Sequence, residues 1–129
     1  MNKILFSSVH DNWKTPESVY EKLNNEFNFD FDPCPLNESP KFDGLEIEWG
    51  KSNFVNPPYS QIAKWCEKSY NEYKKGKTVV MLIPSRTDTI YWHNYIMKAN
   101  EIRFIKGRLK FGNSKNPAPF PSAVIVFRG

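Results

Sequence analysis

The sequence contains few of the residues that build covalent or metal-held scaffolds. Its 129 residues include two cysteines, Cys34 and Cys66, and two histidines, His10 and His93. These are too few for a disulfide framework and argue against a zinc site. No apolar run approaches the roughly 18 residues that a membrane span needs, and the run near the amino terminus is too short for a signal peptide. We therefore expect a cytoplasmic protein without a membrane partner, in a reducing compartment.

The composition indicates one globular domain. Hydrophobic residues make up 40% of the chain and aromatic residues 16%, which excludes a disordered, collagen-like or coiled-coil protein. The length of 129 residues is close to the roughly 150 residues of an average domain. No linker or repeat divides the sequence, so we expect residues 1–129 to form a single domain.

Charge is divided unevenly along the chain. The first 63 residues hold 5 Lys/Arg and 10 Asp/Glu, whereas residues 64–129 hold 13 and 4. The densest basic stretch, residues 103–115, contains no acidic residue. Such a basic half favours a polyanionic partner such as nucleic acid. The alternative interpretation is a solvated, lysine-rich surface.

The pattern of apolar and polar residues predicts an α/β fold in which helices pack on a sheet. We predict helices over residues 16–27, 60–75 and 88–100, strands over residues 29–32, 53–56, 78–83, 101–105 and 122–127, and a short element near residues 45–49. Thr15 and Ser60 are expected to cap the first two helices. The apolar run 78–83 is typical of a central, parallel strand buried on both faces.

Each predicted helix has one apolar face. On the first helix, Val19, Leu23 and Phe27 recur every four residues. The other inward positions are Ile62, Trp65, Cys66 and Tyr73 on the second helix and Ile90, Tyr95, Ile96 and Ala99 on the third, whereas Lys64, Lys68, Glu72 and Lys75 are expected to face solvent. Trp13, Trp65 and Trp92 are interpreted first as core residues.

Three predicted strands end in polar or proline-rich segments, at residues 32–34, 56–59 and 84–86. Ligand sites of open α/β sheets gather at the carboxyl ends of strands. The sharpest segment is Asn56-Pro57-Pro58-Tyr59. Its prolines lack N–H groups and fix the backbone, so their carbonyls can point out of the strand end beside the Asn56 side chain.

These groups suit a planar base that carries an exocyclic amine. Two acceptors on the amine would localise its lone pair and stabilise positive charge as a methyl group arrives. The Tyr59 ring would stack on a base that has left the duplex. The alternative interpretation is a rigid proline turn that links a strand to a helix.

Two further segments carry weaker signals. At residues 32–34, a carboxylate at a strand end can hold the ammonium group of a ligand, or the segment is an ordinary turn. No G-x-G-x-x-G segment is present, so an ordinary dinucleotide cradle is disfavoured. Residues 107–111 mix basic and aromatic side chains that can contact phosphate and stack on a base, or they form a hairpin with solvated charges.

Taken together, these segments resemble the phage-type DNA N6-adenine methyltransferases, the Dam family of bacteriophages. The resemblance extends from about His10 to Phe127 and rests on eight segments in the same order: Asp11-x-Trp13-x-Thr15-Pro16, Asp32-Pro33-Cys34 with Asn37, Asp43-Gly44-Leu45 with Trp49, Phe54-x-Asn56-Pro57-Pro58-Tyr59-Ser60, Trp65, Glu101-Ile102-Arg103-Phe104, Gly107-Arg108-Leu109-x-Phe111, and Ala118-Pro119-Phe120-Pro121-Ser122.

The resemblance implies an abbreviated class I (Rossmann-like) methyltransferase sheet with flanking helices, S-adenosylmethionine as cofactor, double-stranded DNA as partner, no metal, and methyl transfer to N6 of a flipped adenine. It implies catalytic roles for Asn56, Pro57, Pro58 and Tyr59, cofactor contacts from Trp13, Thr15, Pro16, Asp32, Pro33, Cys34 and Asn56, and DNA contacts from Tyr59, Arg86, Arg108, Lys110 and Phe111. The implied setting is a bacterial or phage-infected cell, where methylation shields DNA from restriction.

The sequence departs from larger methyltransferases of this fold. Only about twenty residues separate the implied cofactor segment from the proline motif, so Asp43, Glu46 or Glu48 would have to replace the acid that usually holds the cofactor ribose. We expect no separate target-recognition domain. A homodimer is one way in which so small a protein could bind a DNA duplex. The alternative functions are a non-catalytic DNA or S-adenosylmethionine binder descended from such an enzyme, and an amine methyltransferase acting on RNA or on protein glutamine.

Overall fold

The computed structural model describes residues 14–35, 43–112 and 115–129, and within them it shows an α/β fold. The helices are α1 (Glu17–Phe27), α2 (Ile62–Lys74) and α3 (Ile90–Asn94), and the strands are β1 (Ser52–Val55), β2 (Thr78–Pro84), β3 (Glu101–Phe104) and β4 (Ser122–Phe127). Two short 3-10 turns, Tyr59–Gln61 and Ile96–Lys98, lie before α2 and after α3.

The described strands form one mixed sheet in the order β1-β2-β4-β3. β1 is parallel to β2, and β4 is antiparallel to both of its neighbours, so β1, β2 and β3 all run in the same direction. A single parallel bridge between Phe31 and Asn53 extends the sheet beyond β1. The residue that follows Phe31 and the carboxyl ends of β1, β2 and β3 therefore lie at one edge of the sheet. We term it the carboxyl edge.

The core lies on both faces of the sheet. Val79, Met81 and Ile83 of β2 pack towards α2 and α3. The alternate residues of the strand, Val80 and Leu82, pack with a second cluster that includes Leu23 of α1. Because protein covers both faces, β2 and β4 carry almost continuous apolar sequences.

The predicted strands are largely confirmed. The strand over residues 122–127 has the predicted bounds, and β2 is central as expected. β2 is parallel only to β1, however, since β4 is antiparallel to it. The strand predicted over residues 29–32 is reduced to the bridge at Phe31, because Pro33 has no N–H to continue the ladder. The segment near residues 45–49 contains no helix or strand.

Both predicted helix caps are wrong. Pro16 occupies the cap position of α1, where its carbonyl accepts hydrogen bonds from the backbone of the first turn. The Thr15 hydroxyl is instead directed at a residue 41 positions away. Ser60 lies inside the 3-10 turn, so Gln61 is the residue that precedes α2, and no side chain caps either helix.

The third predicted helix is much shorter than residues 88–100. α3 ends after five residues, and the chain continues as a 3-10 turn after Tyr95, whose φ of −123° is not helical. Ile90, predicted to face inward, is 79% exposed, whereas Trp92 is buried. Ile96 is buried as predicted.

The largest error concerns α2, where Glu72 was expected on the solvent side and is fully buried. Its carboxylate accepts hydrogen bonds from the Trp49 N–H at 2.9 Å and from the ammonium groups of Lys77 at 2.6 Å, Lys75 at 2.9 Å and Lys68 at 3.3 Å. The exposed Glu48 pairs with Lys75 and Lys77 as well. Burial alone would raise the pKa of Glu72, but the lysines and the Trp49 amide lower it to about 2. The carboxylate is therefore ionised and ties α2 to the loop before β1.

Candidate active site

The predicted site segments come together at the carboxyl edge. Residues 32–34 follow Phe31, residues 56–59 follow β1, and residues 84–86 close β2 and the turn after it. Phe31, β1 and β2 are parallel neighbours in the sheet. Their carboxyl ends therefore lie side by side, as expected for a ligand site of an α/β sheet.

The side chain of Asn56 has a fixed partner at this edge. Its Nδ2 donates a hydrogen bond of 2.9 Å to the hydroxyl of Thr15, and both residues are half-buried. The neighbouring Lys14 carbonyl accepts a hydrogen bond of 3.0 Å from the backbone of Gly112. Residues 14–16 thus connect the proline motif to the long segment between β3 and β4, and the Asn56 amide has a defined orientation.

The two prolines of the motif play different structural roles. The Pro58 carbonyl accepts a hydrogen bond of 3.1 Å from Gln61 N and so opens the 3-10 turn that leads into α2. Pro57 is buried directly beyond the end of β1. The turn therefore uses the carbonyl of Pro58 and not that of Pro57.

Tyr59 is held between the motif and the second core cluster. Its ring contacts the edge of Phe120, with 5.3 Å between centroids and an angle of 78°. Burial, together with the nearby Tyr91, raises the pKa of the Tyr59 hydroxyl above its usual value. The phenol is therefore neutral at physiological pH.

Asp32 forms a compact turn with the residues that follow it. Its Oδ1 accepts a hydrogen bond of 3.0 Å from Cys34 N, which is an Asx turn. Gly44 packs directly on this turn, since a Cβ at that position would overlap the Pro33 carbonyl oxygen and press on the Trp65 ring. Gly44 therefore supports this turn, and the turn holds the half-buried Asp32 carboxylate near the carboxyl edge.

The three candidates for a ribose-binding acid differ in their surroundings. Glu48 is engaged by Lys75 and Lys77 at 2.8 and 2.9 Å. Glu46 is exposed. Asp43 accepts a hydrogen bond from Leu45 N at 3.0 Å and lies in the loop that packs on the turn at residues 32–34. Of the three acids, Asp43 is thus the one adjacent to the glycine that packs on this turn.

The predicted DNA-contacting residues divide into two groups. Arg86, Arg108 and Lys110 are exposed. Phe111 is 1% exposed and packs against Phe120, so a contact with a base would require it to leave the core. Three residues of the resemblance, Asp11, Trp13 and Asn37, lie outside the described residues.

A cavity that sequence patterns did not indicate lies between α2 and the segment after β2. Its volume is about 620 Å³, which is in the range of small-molecule sites. Lys64 and Glu67 line it from α2, and Asp88, Thr89 and Tyr95 line it from the opposite side. These residues come from different elements and share no local motif, so sequence spacing carries no signal for the cavity.

The fold and the site define an α/β protein with a candidate enzymatic site on one edge of a mixed sheet. Residues 3–124 match the family model of the DNA N-6-adenine-methyltransferases (Dam), and the chain belongs to this family, which confirms the resemblance. A DNA N-6-adenine-methyltransferase of Escherichia phage T1 is 28% identical over 113 residues, which cover 79% of this chain and 48% of the relative. The chain thus spans about half the length of the curated relative it matches.

None of the described helices combines the length and apolar character that crossing a membrane requires. The described His, Cys, Asp and Glu residues form no group of three or more that could hold a metal ion.

Of the two cysteines, Cys66 is buried, which raises the pKa of its thiol to about 12.

Proposed function

We propose that the chain transfers a methyl group from S-adenosylmethionine to N6 of adenine in double-stranded DNA. The observation that carries the proposal is the hydrogen bond between Asn56 and Thr15. It orients the amide of the Asn-Pro-Pro-Tyr turn at the end of a parallel strand, in a member of the Dam family. The proposed setting is the cytoplasm of a bacterial or phage-infected cell, where methylation would shield DNA from restriction.

The residues present fit S-adenosylmethionine. The Asp32 carboxylate is a suitable partner for the ammonium group of the methionine end. The turn that holds this carboxylate can form because Gly44 has no side chain to overlap the Pro33 carbonyl oxygen. Pro33, Cys34 and the segment at Thr15 and Pro16 would line the same end. Asp43 is the proposed partner of the ribose hydroxyls. When bound, the cofactor would supply an electrophilic methyl group on a positively charged sulfur, which is a good leaving group.

The protein's part in the reaction is to hold and polarise the amine. The Asn56 side-chain oxygen and the Pro57 carbonyl would accept the two N–H groups of adenine N6, which localises the lone pair on nitrogen. The N–C bond would form as the bond between the methyl group and the sulfonium sulfur breaks, so that positive charge passes to N6, where both acceptors would stabilise it. N6 would then release one proton to solvent. Tyr59 would stack on the adenine after it has left the duplex, and positioning supplies most of the remaining rate enhancement.

The finer description of the fold is also a proposal, namely an abbreviated class I, Rossmann-like sheet in a single domain. It is supported by the parallel run of Phe31, β1 and β2, whose ends gather the site residues. Arg86, Arg108 and Lys110 would contact phosphates along the carboxyl edge.

The proposed function is tested by methyl transfer from labelled S-adenosylmethionine to unmethylated duplex DNA, followed by mass spectrometry of the nucleosides. The expected product is N6-methyladenine. Cofactor binding by calorimetry without any product would favour the non-catalytic binder. Label recovered in RNA or in protein glutamine, but not in DNA, would redirect the assignment to another amine.

Thr15 is expected to position Asn56 rather than to touch the base. In Thr15→Val the shape is kept and the acceptor is lost, so the amide loses its fixed orientation. One hydrogen bond contributes about 0.5–1.5 kcal/mol, and we therefore expect kcat to fall about two- to tenfold while KM for DNA changes little. Thr15→Ser keeps the hydroxyl and should recover most of the rate. Equal kcat values for the valine and wild-type enzymes would show that Thr15 has no such role.

A further inference from the structure

Phe104 is a large apolar side chain that is exposed although it lies in a strand. It ends β3 and is 64% exposed. Its ring stacks on Trp92, with 6.4 Å between centroids and an angle of 21°. Trp92 is only 2% exposed, so it forms a rigid platform. Phe104 is thus held outward at a defined place instead of folding back into the core.

This position lies on the same edge of the sheet as the proposed active site. β3 runs parallel to β1, so its last residue, Phe104, lies at the carboxyl edge together with the motif at residues 56–59. The order β1-β2-β4-β3 separates β1 from β3 by three strand spacings, or about 14 Å. A bound duplex can span this separation, since its major groove alone is about 12 Å wide.

The surroundings of Phe104 are basic. Lys106, Arg108 and Lys110 follow it, are exposed, and form no ion pair with any residue in the described ranges. Gly107 has a φ of +76°, which gives the sharp turn between them. The sequence contains no acidic residue after Glu101. Two copies of this surface would therefore bring like charges together, which disfavours a dimer contact here, whereas a polyanion is complementary to it.

We propose that Phe104 contacts DNA bases directly while Lys106, Arg108 and Lys110 hold the adjacent phosphates. A phenyl ring has no favourable contact with a phosphate, whereas the face of a base offers it a flat partner on which to stack. Such a face is exposed where the target adenine has left the stack, and apolar side chains commonly fill the gap in an opened base step. The inference rests on the proposed function and adds to it a residue that distorts or stabilises the opened duplex.

The test is the affinity of the purified chain for a fluorescein-labelled, unmethylated duplex of about 20 base pairs, measured by fluorescence anisotropy at several salt concentrations. Phe104→Ala is expected to weaken binding about tenfold, in line with what one base–aromatic stack contributes, with an unchanged salt slope. Phe104→Tyr should bind like the wild type. Lys106→Ala should reduce the salt slope by about 1. Met97→Ala is the matched control, because Met97 is 58% exposed and precedes β3 at the opposite edge.

Each result has a distinct meaning. Wild-type affinity in Phe104→Ala, with an unchanged thermal midpoint, would overturn the role of Phe104 and leave the proposed methyltransferase intact. Absence of DNA binding by the wild-type chain itself would overturn the proposed function as well. A Phe104→Ala variant that changes self-association in sedimentation, but not DNA affinity, would assign the surface to a second copy of the chain.

Discussion

Asn56→Ala is expected to lower kcat at least a hundredfold. The substitution removes one of the two acceptors proposed to stabilise the positive charge that develops on N6, and loss of a single preorganised group of this kind costs about 10²–10³ in rate. Asn56→Asp keeps an acceptor oxygen and should retain more activity than alanine. The measurement is kcat for methyl transfer to duplex DNA at saturating cofactor.

A matched control separates this effect from unfolding. Asn71 is an exposed asparagine on α2, and Asn71→Ala should leave both rate and stability unchanged. Asn56→Ala loses the hydrogen bond to Thr15, and its free energy of unfolding should fall by about 1 kcal/mol. Full activity in a folded Asn56→Ala protein would contradict the proposed mechanism.

Glu72→Leu is expected to produce the largest loss of stability, about 3 kcal/mol. The substitution leaves Lys77, whose side chain is only 15% exposed, without its buried partner, and it leaves the Trp49 N–H without an acceptor. Removing one partner from a buried ionic cluster is far more costly than breaking a surface pair. The thermal midpoint should fall by about 10 °C. The exposed Glu48 pairs with two of the same lysines, and Glu48→Gln should change the midpoint little.

The same carboxylate predicts a pH dependence of stability. The pKa of Glu72 is about 2 in the folded protein, compared with an ordinary value of 4.5. Its contribution is therefore complete above about pH 4.5 and is lost as the pH falls towards 2. The free energy of unfolding should decline more steeply over this range in the wild type than in Glu72→Gln. Parallel curves for the two proteins would show that folding does not lower the pKa of this carboxyl group.

The sequence predicts the parts of this fold that depend on local pattern. The apolar runs of β2 and β4 are continuous because protein covers both faces of the sheet, and such runs are visible without any structure. The site segments were likewise predictable, since each follows a strand whose end is marked by proline. The parallel direction of β1 and β2 then follows from α2, the helix that connects them.

The errors arise where distant residues decide the outcome. Helical periodicity places Glu72 outward, whereas its buried carboxylate also depends on a hydrogen bond from the Trp49 N–H, which is 23 residues away. Threonine is a common helix-capping residue, but the Thr15 hydroxyl accepts a hydrogen bond from Asn56, which is 41 residues away. The exposure of Phe104 depends on the buried ring of Trp92 beneath it. None of these contacts leaves a trace in sequence spacing.

The placement of β4 has a consequence for how the protein is made. β2 pairs on one side with β1, but its other side pairs only with residues 122–127, in a register that joins Val79 to Phe127 and Pro84 to Ser122. During synthesis, the nascent chain therefore carries a bare, strongly apolar strand edge until β4 has left the ribosome. Pairing between such distant segments is slow, and exposed edges of this kind promote aggregation. Growth at low temperature or help from a chaperone should accordingly raise the yield of folded protein more than any change to its surface.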